Sequence, residues 1–422
     1  VNIIFNVINP DEYEEWAADY NDDADINIMD IVQIINAIFG DEIIDNQDDI
    51  ITPVYYEFAS RFVNGMSSVS YTGQVVRNVL IKDLKSLASE NSSEQLLVDL
   101  FNNGSCSNSP IINYQLQTEW SDFGTCKRLS NKIAEEVSIG YDVTPANQMY
   151  DWFSQVPLQV PHIDGSNIRM VTLPDSLELR QMVGIGLLST LTYYQGTTVY
   201  MSKIDDADNS ENEVGKSYTP MEHYWDESFG YFGAARDYSM YTDEQIAHSN
   251  YDTNSDGFID YLTEYNFAWA TYAAKRDLNC ASTCTSDNDF TNTIMNAYLE
   301  GRTLIHNQAS LSLIQDERTK IVNAWEKMIA ANIIRYTKYV IAEIDNNESI
   351  IHHWAQMRAF SIALQYNIYK LISDNDLGII ISTMGITPPS SEDLSSYKTT
   401  LINILSILQS SYGFDDKNMQ SW

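Results

Sequence analysis

The chain has 422 residues, and its 59 acidic against 24 basic side chains give a formal net charge of −35. Because 44% of the residues are hydrophobic and 12% are aromatic, enough apolar surface exists for a large core, which excludes a disordered acidic chain. The shortage of positive charge argues against nucleic acid as a partner, and no apolar run approaches the ~20 residues that a membrane span needs.

The strongest local motif is the acidic loop DYNDDADINIMD at residues 19–30. In a twelve-residue calcium frame, alternate positions of this loop supply oxygen ligands, and the chain supplies a backbone carbonyl at the seventh position. The ligands are Asp19, Asn21, Asp23, Asp25 (through its carbonyl), Asn27 and Asp30. With the helix IVQIINAIFG behind it, the loop resembles the calcium loop of dockerin-type modules in secreted bacterial proteins. An acidic turn that binds no metal is the alternative.

The stretch GDEIIDNQDDIIT at residues 40–52 divides the chain into two predicted domains. Residues 1–45 form a dockerin-like calcium-binding unit that begins with the apolar, β-prone segment VNIIFNVIN, and residues 46–422 form the larger domain. Because an exposed β-prone segment can add a strand to a neighbouring chain, residues 1–45 are the predicted site of a protein partner or of self-assembly. Packing of this segment on its own chain is the alternative.

Most of the larger domain predicts helices. Apolar residues recur at steps of three and four along residues 321–340 and again along residues 394–412, which is the pattern of an amphipathic helix. Thr144 followed by a proline predicts a helix start, and Gly184 and Gly186 in an apolar stretch predict close contact between helices. Since no segment shows sustained period-two alternation, we expect a mainly α fold, a large helical bundle.

Four cysteines form two pairs that are local in sequence: Cys106 with Cys126, and Cys280 with Cys284. We expect two disulfide bonds formed in an exporting compartment, although four cysteines allow three connectivities. Four unpaired thiols are the alternative. A zinc site is disfavoured because the spacing lacks CxxC pairs.

Three of the six histidines lie in two places that suit metal binding. His223 and Glu227 are four residues apart on one predicted helix face, and His352 and His353 open another predicted helix. Two such helices packed together would bring imidazoles and a carboxylate to one transition metal. The alternative is a buried hydrogen bond between histidine and glutamate that only stabilises the core.

A second acidic loop, DTNSDGFIDYLTE, occupies residues 252–264 within the larger domain. Its predicted calcium ligands are Asp252, Asn254, Asp256, Phe258 (through its carbonyl), Asp260 and Glu264. Gly257 stands at the sharp turn, and Glu264 falls one residue beyond the usual last ligand. An Asp-Gly turn that binds no metal is the alternative. The sequence therefore predicts two Ca²⁺ sites.

No catalytic motif accompanies these loops. GxSxG, a P-loop, HExxH and a GxGxxG after a strand are all absent, and no residues suggest a nucleophile with its base. Arg77, Arg276 and Arg302 lie in predicted helices, where we expect each to pair with an acid of the bundle rather than to catalyse a reaction. We therefore expect a protein that is not an enzyme, and a hydrolase is the alternative.

Five segments of the sequence resemble those of a known family: SYTGQVVRNVLIKDLK, LELRQMVGIGLLSTLTYYQ, MEHYWDESFGYFG, DTNSDGFIDYLTEYNFAWATYAAKRD and HHWAQMRAFSIALQYN. In this order, over residues 55–412, they resemble a secreted bacterial family of unknown function that is distantly similar to imelysin-like, iron-regulated proteins. The resemblance implies a helical bundle at the cell envelope or outside the cell. For the imelysin relatives it implies a link to iron through a GxHxxE motif, from which the sequence at His223 and Glu227 departs in its spacing and in lacking the glycine.

The leading prediction is a secreted, calcium-binding, non-enzymatic helical protein for binding or assembly at the bacterial cell surface. This prediction rests on the two acidic loops, because millimolar extracellular calcium fills even weak sites. One alternative is an iron- or haem-binding protein of the imelysin type. Another is a subunit of an extracellular filament that is joined through its N-terminal segment.

Overall fold

A computed structural model describes residues 51–106, 126–280 and 289–422 of the chain. Two compact units divide the protein: one comprises Val1–Ile51 with Thr253–Asp256, and the other comprises Thr52–Asp252 with Gly257–Trp422. The predicted calcium loop at residues 19–30 and the β-prone residues 1–9 lie outside the described residues. All elements below belong to the larger unit.

Two of the first three helices of the larger unit begin after a residue whose side chain caps the helix. Ser93 and Thr144 each accept a hydrogen bond from the backbone N–H three residues later, and Pro145 occupies the first helical position, as predicted. The elements are α1 (Thr72–Leu87), α2 (Glu94–Asn103), α3 (Pro145–Gln155) and the antiparallel strands β1 (Val160–Asp164) and β2 (Asn167–Val171). The hairpin was not predicted, because strands of five residues are too short to show a sustained alternation.

The fourth helix changes its hydrogen bonding along its length. It begins as α4 (Leu179–Leu187), continues as a π-helix over Leu188–Tyr200 and ends at Met201–Lys203. A π-helix of 13 residues is unusual, since most are single turns. The predicted close contacts at both glycines are confirmed: an added Cβ would lie 2.4 Å from Lys85 Cδ at Gly184 and 3.1 Å from Met149 Cε at Gly186.

Four α-helices follow, and both α5 and α6 begin with a reciprocal capping box. In α5, Thr219 and Glu222 form this box. The helices are α5 (Pro220–Phe232), α6 (Asp243–Ala247), α7 (Ala268–Cys280) and α8 (Phe290–His306).

The C-terminal part contains the longest helix. Residues 321–340, predicted to be amphipathic, lie within it, and the predicted helix at residues 394–412 is confirmed at both ends. The helices are α9 (Leu311–Asn346), α10 (Ile351–Ala363), α11 (Asp374–Met384), α12 (Leu394–Tyr412) and α13 (Asp416–Ser421).

Helices α9 and α4 organise the core. Helix α9 packs on α8, α10 and α12, while α4 packs on α1 and α10, and its π-helical continuation packs on α5. Trp225, Trp269, Trp325 and Trp354 are buried between these helices. The fold class is therefore mainly α, as the periodicity predicts. Among the described residues, no helix combines the length and the apolar character that crossing a membrane requires.

Candidate functional site

A buried ion cluster lies where α5 meets α8. The Arg302 guanidinium donates from Nη1 to Glu222 Oε1 at 3.0 Å, from Nε to Asp226 Oδ1 at 2.9 Å and from Nη2 to Ser68 Oγ at 2.7 Å. The arginine and both acids are fully buried. The prediction that Arg302 pairs with acids of the bundle is confirmed.

The carboxylate oxygens of Asp226 and Glu222 also accept hydrogen bonds from donors other than Arg302. Tyr56 donates its hydroxyl to Asp226 Oδ1 at 2.8 Å, and the Ser70 backbone N–H donates to Asp226 Oδ2 at 3.0 Å. The Thr219 backbone N–H donates to Glu222 Oε2 at 2.9 Å. Because every oxygen is engaged and none faces solvent, the cluster joins α5, α8 and residues 56–70 and does not form an open site.

Burial and charge act in opposite directions on the two acids. Burial raises the pKa of the Glu222 carboxyl, but the neighbouring His306 and the Arg302 charge outweigh it and lower the pKa to about 2. At Asp226, burial prevails over Arg302, and the pKa is raised above its ordinary value. Arg302 is therefore shared by two carboxyl groups whose pKa values shift in opposite directions, and Arg61 Nε also lies 3.7 Å from Glu222 Oε1.

His223 and Glu227 lie on another face of α5, with part of each side chain exposed. His223 Nε2 is 3.9 Å from Glu227 Oε1, and Gln74 donates to that same oxygen at 2.6 Å. His223 Nδ1 is 3.1 Å from the Ser70 carbonyl oxygen. Since a carbonyl only accepts, a neutral His223 carries its proton on Nδ1 and leaves Nε2 as the ligand atom. The predicted pair is therefore present, at ion-pair rather than hydrogen-bond distance.

Two lysine side chains, Lys127 and Lys132, interact electrostatically with Glu227. Burial lowers the pKa of Lys127 and of Lys132, and the Arg77 charge lowers both further, while Glu227 opposes the shift. Arg77 itself donates to the carbonyls of Gly73 and Arg128, so its contacts differ from the expected pairing with an acid. The Glu227 carboxylate therefore interacts electrostatically with both lysines.

His352 and His353 have carboxylate partners of their own. His352 Nδ1 is 2.7 Å from Glu178 Oε2, and His353 Nδ1 contacts Glu343. The two rings are adjacent, with centroids 5.1 Å apart. The structure thus places His223 beside Glu227 and His352 beside His353. Each of these two pairs has its own neighbouring residues. Within the described ranges, no group of three or more His, Cys, Asp or Glu side chains is arranged to hold a metal ion.

The acidic loop at residues 252–264 turns through hydrogen bonds to its own backbone. The Gly257 N–H donates to Asp252 Oδ2, and the Asp256 N–H donates to Asn254 Oδ1, each at 2.9 Å. Gly257 has a φ of +85°, a left-handed conformation that glycine adopts without strain. The turn predicted at this glycine is therefore present.

The second half of the loop uses its carboxylates as caps. Asp260 Oδ1 accepts the backbone N–H groups of Leu262 and Thr263, each at 2.8 Å. Glu264 is only 1% exposed, and its Oε2 accepts the Asp260 N–H at 3.0 Å. These two predicted ligands thus have backbone donors in this structure.

One of the two predicted cysteine pairs is bonded as expected. Cys106 and Cys126 form a disulfide bond. Cys280 is also disulfide-bonded, and its predicted partner Cys284 lies outside the described residues.

The segment from β1 to the α10–α11 connection contains the His223–Glu227 pair, the His352–His353 pair and the acidic loop at residues 252–264. Residues 162–371 match the family model DUF4856, described as a domain of unknown function. No curated protein and no solved structure matches the chain. The DUF4856 match agrees with the predicted likeness to a family of unknown function for residues 162–371, while secretion and the similarity to imelysin-like and dockerin-type proteins stay predictions.

Within the DUF4856 domain, sequence reasoning selected His223 and Glu227 but passed over the acids that precede each of them by one residue. Glu222 and Asp226 are the residues that bind Arg302. Their spacing of four, together with the capping-box threonine before Glu222, was the available signal. The partner on α8 could not be identified from spacing.

Proposed function

We propose that this protein is a secreted, calcium-binding, non-enzymatic helical protein for binding or assembly at the bacterial cell surface. The observation that carries the proposal is the loop at residues 252–264, where Gly257 takes the left-handed conformation and its N–H bonds to Asp252. A twelve-residue calcium loop needs this turn at its sixth position, so that alternate oxygens face the ion.

Electrostatic repulsion supports an ion at this loop. Four acidic side chains lie within its 13 residues, and like charges ~4 Å apart repel by ~1 kcal/mol in water and by more near a protein surface. The backbone N–H groups that bond to Asp252 and Asp260 offset part of this cost. A divalent cation would offset the rest, so calcium is expected to raise the stability of the protein.

The disulfide between Cys106 and Cys126 supports an extracellular setting, because such bonds persist in oxidising compartments. Extracellular sites with dissociation constants of ~10⁻⁴–10⁻³ M are filled by millimolar calcium. A dockerin-like loop at residues 19–30 would supply the second ion, and residues 1–45 would supply the surface for a partner or for self-assembly.

Calcium titration of the full chain by isothermal calorimetry, after dialysis against a chelator, tests this proposal. We expect two ions per chain for the natural protein and one for an Asp252→Asn/Asp256→Asn variant. The matched control, Asp206→Asn/Glu211→Gln, removes the same charge from exposed positions outside the calcium frames and should keep two. Unchanged stoichiometry in the first variant, or a thermal midpoint that chelation does not alter, would contradict the proposal.

The assembly part of the proposal has a separate test. Electron microscopy in calcium would compare the full chain with a variant that lacks residues 1–9. Ordered polymers that depend on this segment support assembly, whereas polymers that persist without it place the contact elsewhere.

A second candidate, iron or haem binding, is favoured by the orientation of His223, whose Nε2 faces the Glu227 carboxylate. Elemental analysis of protein purified from its source would detect a bound transition metal. A His223→Ala variant should lose that metal, while His162→Ala should retain it, since His162 lies on β1. Absence of any transition metal in the natural protein would exclude this candidate.

A further inference from the structure

Five basic side chains on α1, α4, α7 and α9 interact electrostatically from one neighbour to the next, from Arg180 through Lys85, Lys275 and Arg276 to Arg335. This basic cluster consists of Lys85, Arg180, Lys275, Arg276 and Arg335. Contact between α1 and α4 is close because the Lys85 stem packs on Gly184, where an added Cβ would lie 2.4 Å from Lys85 Cδ. The four helices thus bring cations from distant parts of the sequence to one place.

Aromatic rings hold α7 and α9 together beside these cations. Tyr272 of α7 and Tyr336 of α9 both pack on Phe360 of α10, with ring centroids 4.8 and 5.7 Å away. The Lys275 ammonium lies 5.5 Å from the Tyr272 ring centroid. Arg276 interacts electrostatically with both tyrosines and with Arg335.

No acid neutralises the basic cluster. In the part of the chain that the structure describes, none of its five members makes a salt bridge. This arrangement contrasts with a formal net charge of −35 for the chain. The expected pairing of Arg276 with an acid of the bundle is therefore wrong.

The acids at the margin of the cluster already have partners. Glu178, which interacts with Lys85, contacts His352, and Glu343 contacts His353, whose ring stacks on Tyr339. The cations consequently act on one another. Burial, with the charges of Arg180 and Lys275, lowers the pKa of Lys85 to about 8.

Arg276 lies at the base of the cluster with unused hydrogen-bond donors. Its residue is 5% exposed, and its Nε and Nη1 atoms are buried without a hydrogen-bond partner in the described structure. Lys275, by contrast, is exposed and Arg335 is partly exposed, so these two side chains form the rim. A native fold rarely leaves a buried guanidinium unsatisfied, and a bound anion is one arrangement that satisfies such donors.

We propose that the basic cluster binds a phosphate-type oxyanion, with Arg276 as the ligand at its base and Lys275 and Arg335 at its rim. Charge-assisted hydrogen bonds to guanidinium groups suit the several oxygens of such an anion. Burial lowers the pKa of Arg276 to about 10, so the guanidinium stays charged at neutral pH. Either a free ion or a phosphate monoester on a larger molecule has this chemistry.

Calorimetric titration of the full chain with inorganic phosphate and with glycerol 3-phosphate, at constant ionic strength, tests the proposal. We expect saturable binding, with the preferred probe distinguishing a free ion from an ester. Sulfate serves as a parallel probe in calcium-containing buffer. An Arg276→Gln variant should bind at least tenfold more weakly.

The matched control is Lys398→Gln, which removes one positive charge from a lysine paired with Asp345 and should bind as the natural protein does. If Arg276→Gln does not fold, the rim variant Lys275→Gln/Arg335→Gln decides the question, with the same expected loss. Binding that is absent from the natural protein, or equal in the natural protein and the cluster variants, overturns the proposal.

Discussion

Replacing Arg302 by methionine perturbs the most deeply buried ion cluster of the protein. The substitution keeps much of the aliphatic volume but removes three hydrogen bonds of 2.7–3.0 Å to fully buried partners. Breaking a buried pair on one side typically costs 3–5 kcal/mol, because the remaining charge is left uncompensated. Since two carboxyl groups lose the same cation here, we expect a loss of about 4 kcal/mol.

Equilibrium unfolding in urea, followed by tryptophan fluorescence, measures this loss, because tryptophans buried among the helices, such as Trp225 and Trp325, report on the core. A Lys398→Met control breaks an exposed pair, in which Lys398 and Asp345 are 33% and 52% exposed, and should cost no more than ~1 kcal/mol. Adding Glu222→Gln and Asp226→Asn to Arg302→Met should restore part of the loss, because both stranded charges are then removed.

The pH dependence provides an independent check. In the natural protein the Glu222 pKa is lowered to about 2, so its contribution is present above the unfolded pKa and is lost as pH falls through about 2. Without Arg302, Glu222 loses one of the charges that lower its pKa, and burial raises the Asp226 pKa further because the main opposing charge is gone. The difference between Arg302→Met and the natural protein should therefore shrink as pH falls from 8 to 5. A cost below 1 kcal/mol, or one independent of pH, would refute the reasoning.

Three further predictions concern other sites and use the same unfolding assay. Gly301→Ala should cost about 1–3 kcal/mol, because its Cβ would lie 2.1 Å from a buried tryptophan ring, whereas Gly378→Ala in open space should stabilise by about 0.5–1 kcal/mol; equal effects would contradict this. A Cys106→Ser/Cys126→Ser variant should lose about 3 kcal/mol by opening a 20-residue loop; unchanged stability would exclude that constraint. Burial raises the Asp277 pKa to about 8, so stability should fall as pH rises from 4 to 8, less steeply in Asp277→Asn; identical slopes would contradict this.

The candidate sites show where sequence reasoning succeeds. The left-handed Gly257 turn follows from an Asp-Gly step in a twelve-residue frame, and the His223–Glu227 pair follows from a spacing of four on a helix. These features depend on residues within one turn of each other. The carboxylate partners of His352 and His353, Glu178 and Glu343, come from other helices or their margins and were not predicted.

The sequence by itself determined the mainly α fold class, the helix Leu394–Tyr412 and the start of α3 after Thr144, because periodicity and capping are local properties. Only the tertiary structure decided which buried arginines are neutralised. Arg302 meets Asp226 across 76 positions of sequence, whereas Arg276 meets tyrosines and another arginine. The energy of a buried charge depends on the groups that the fold brings around it, and spacing along the chain does not specify them.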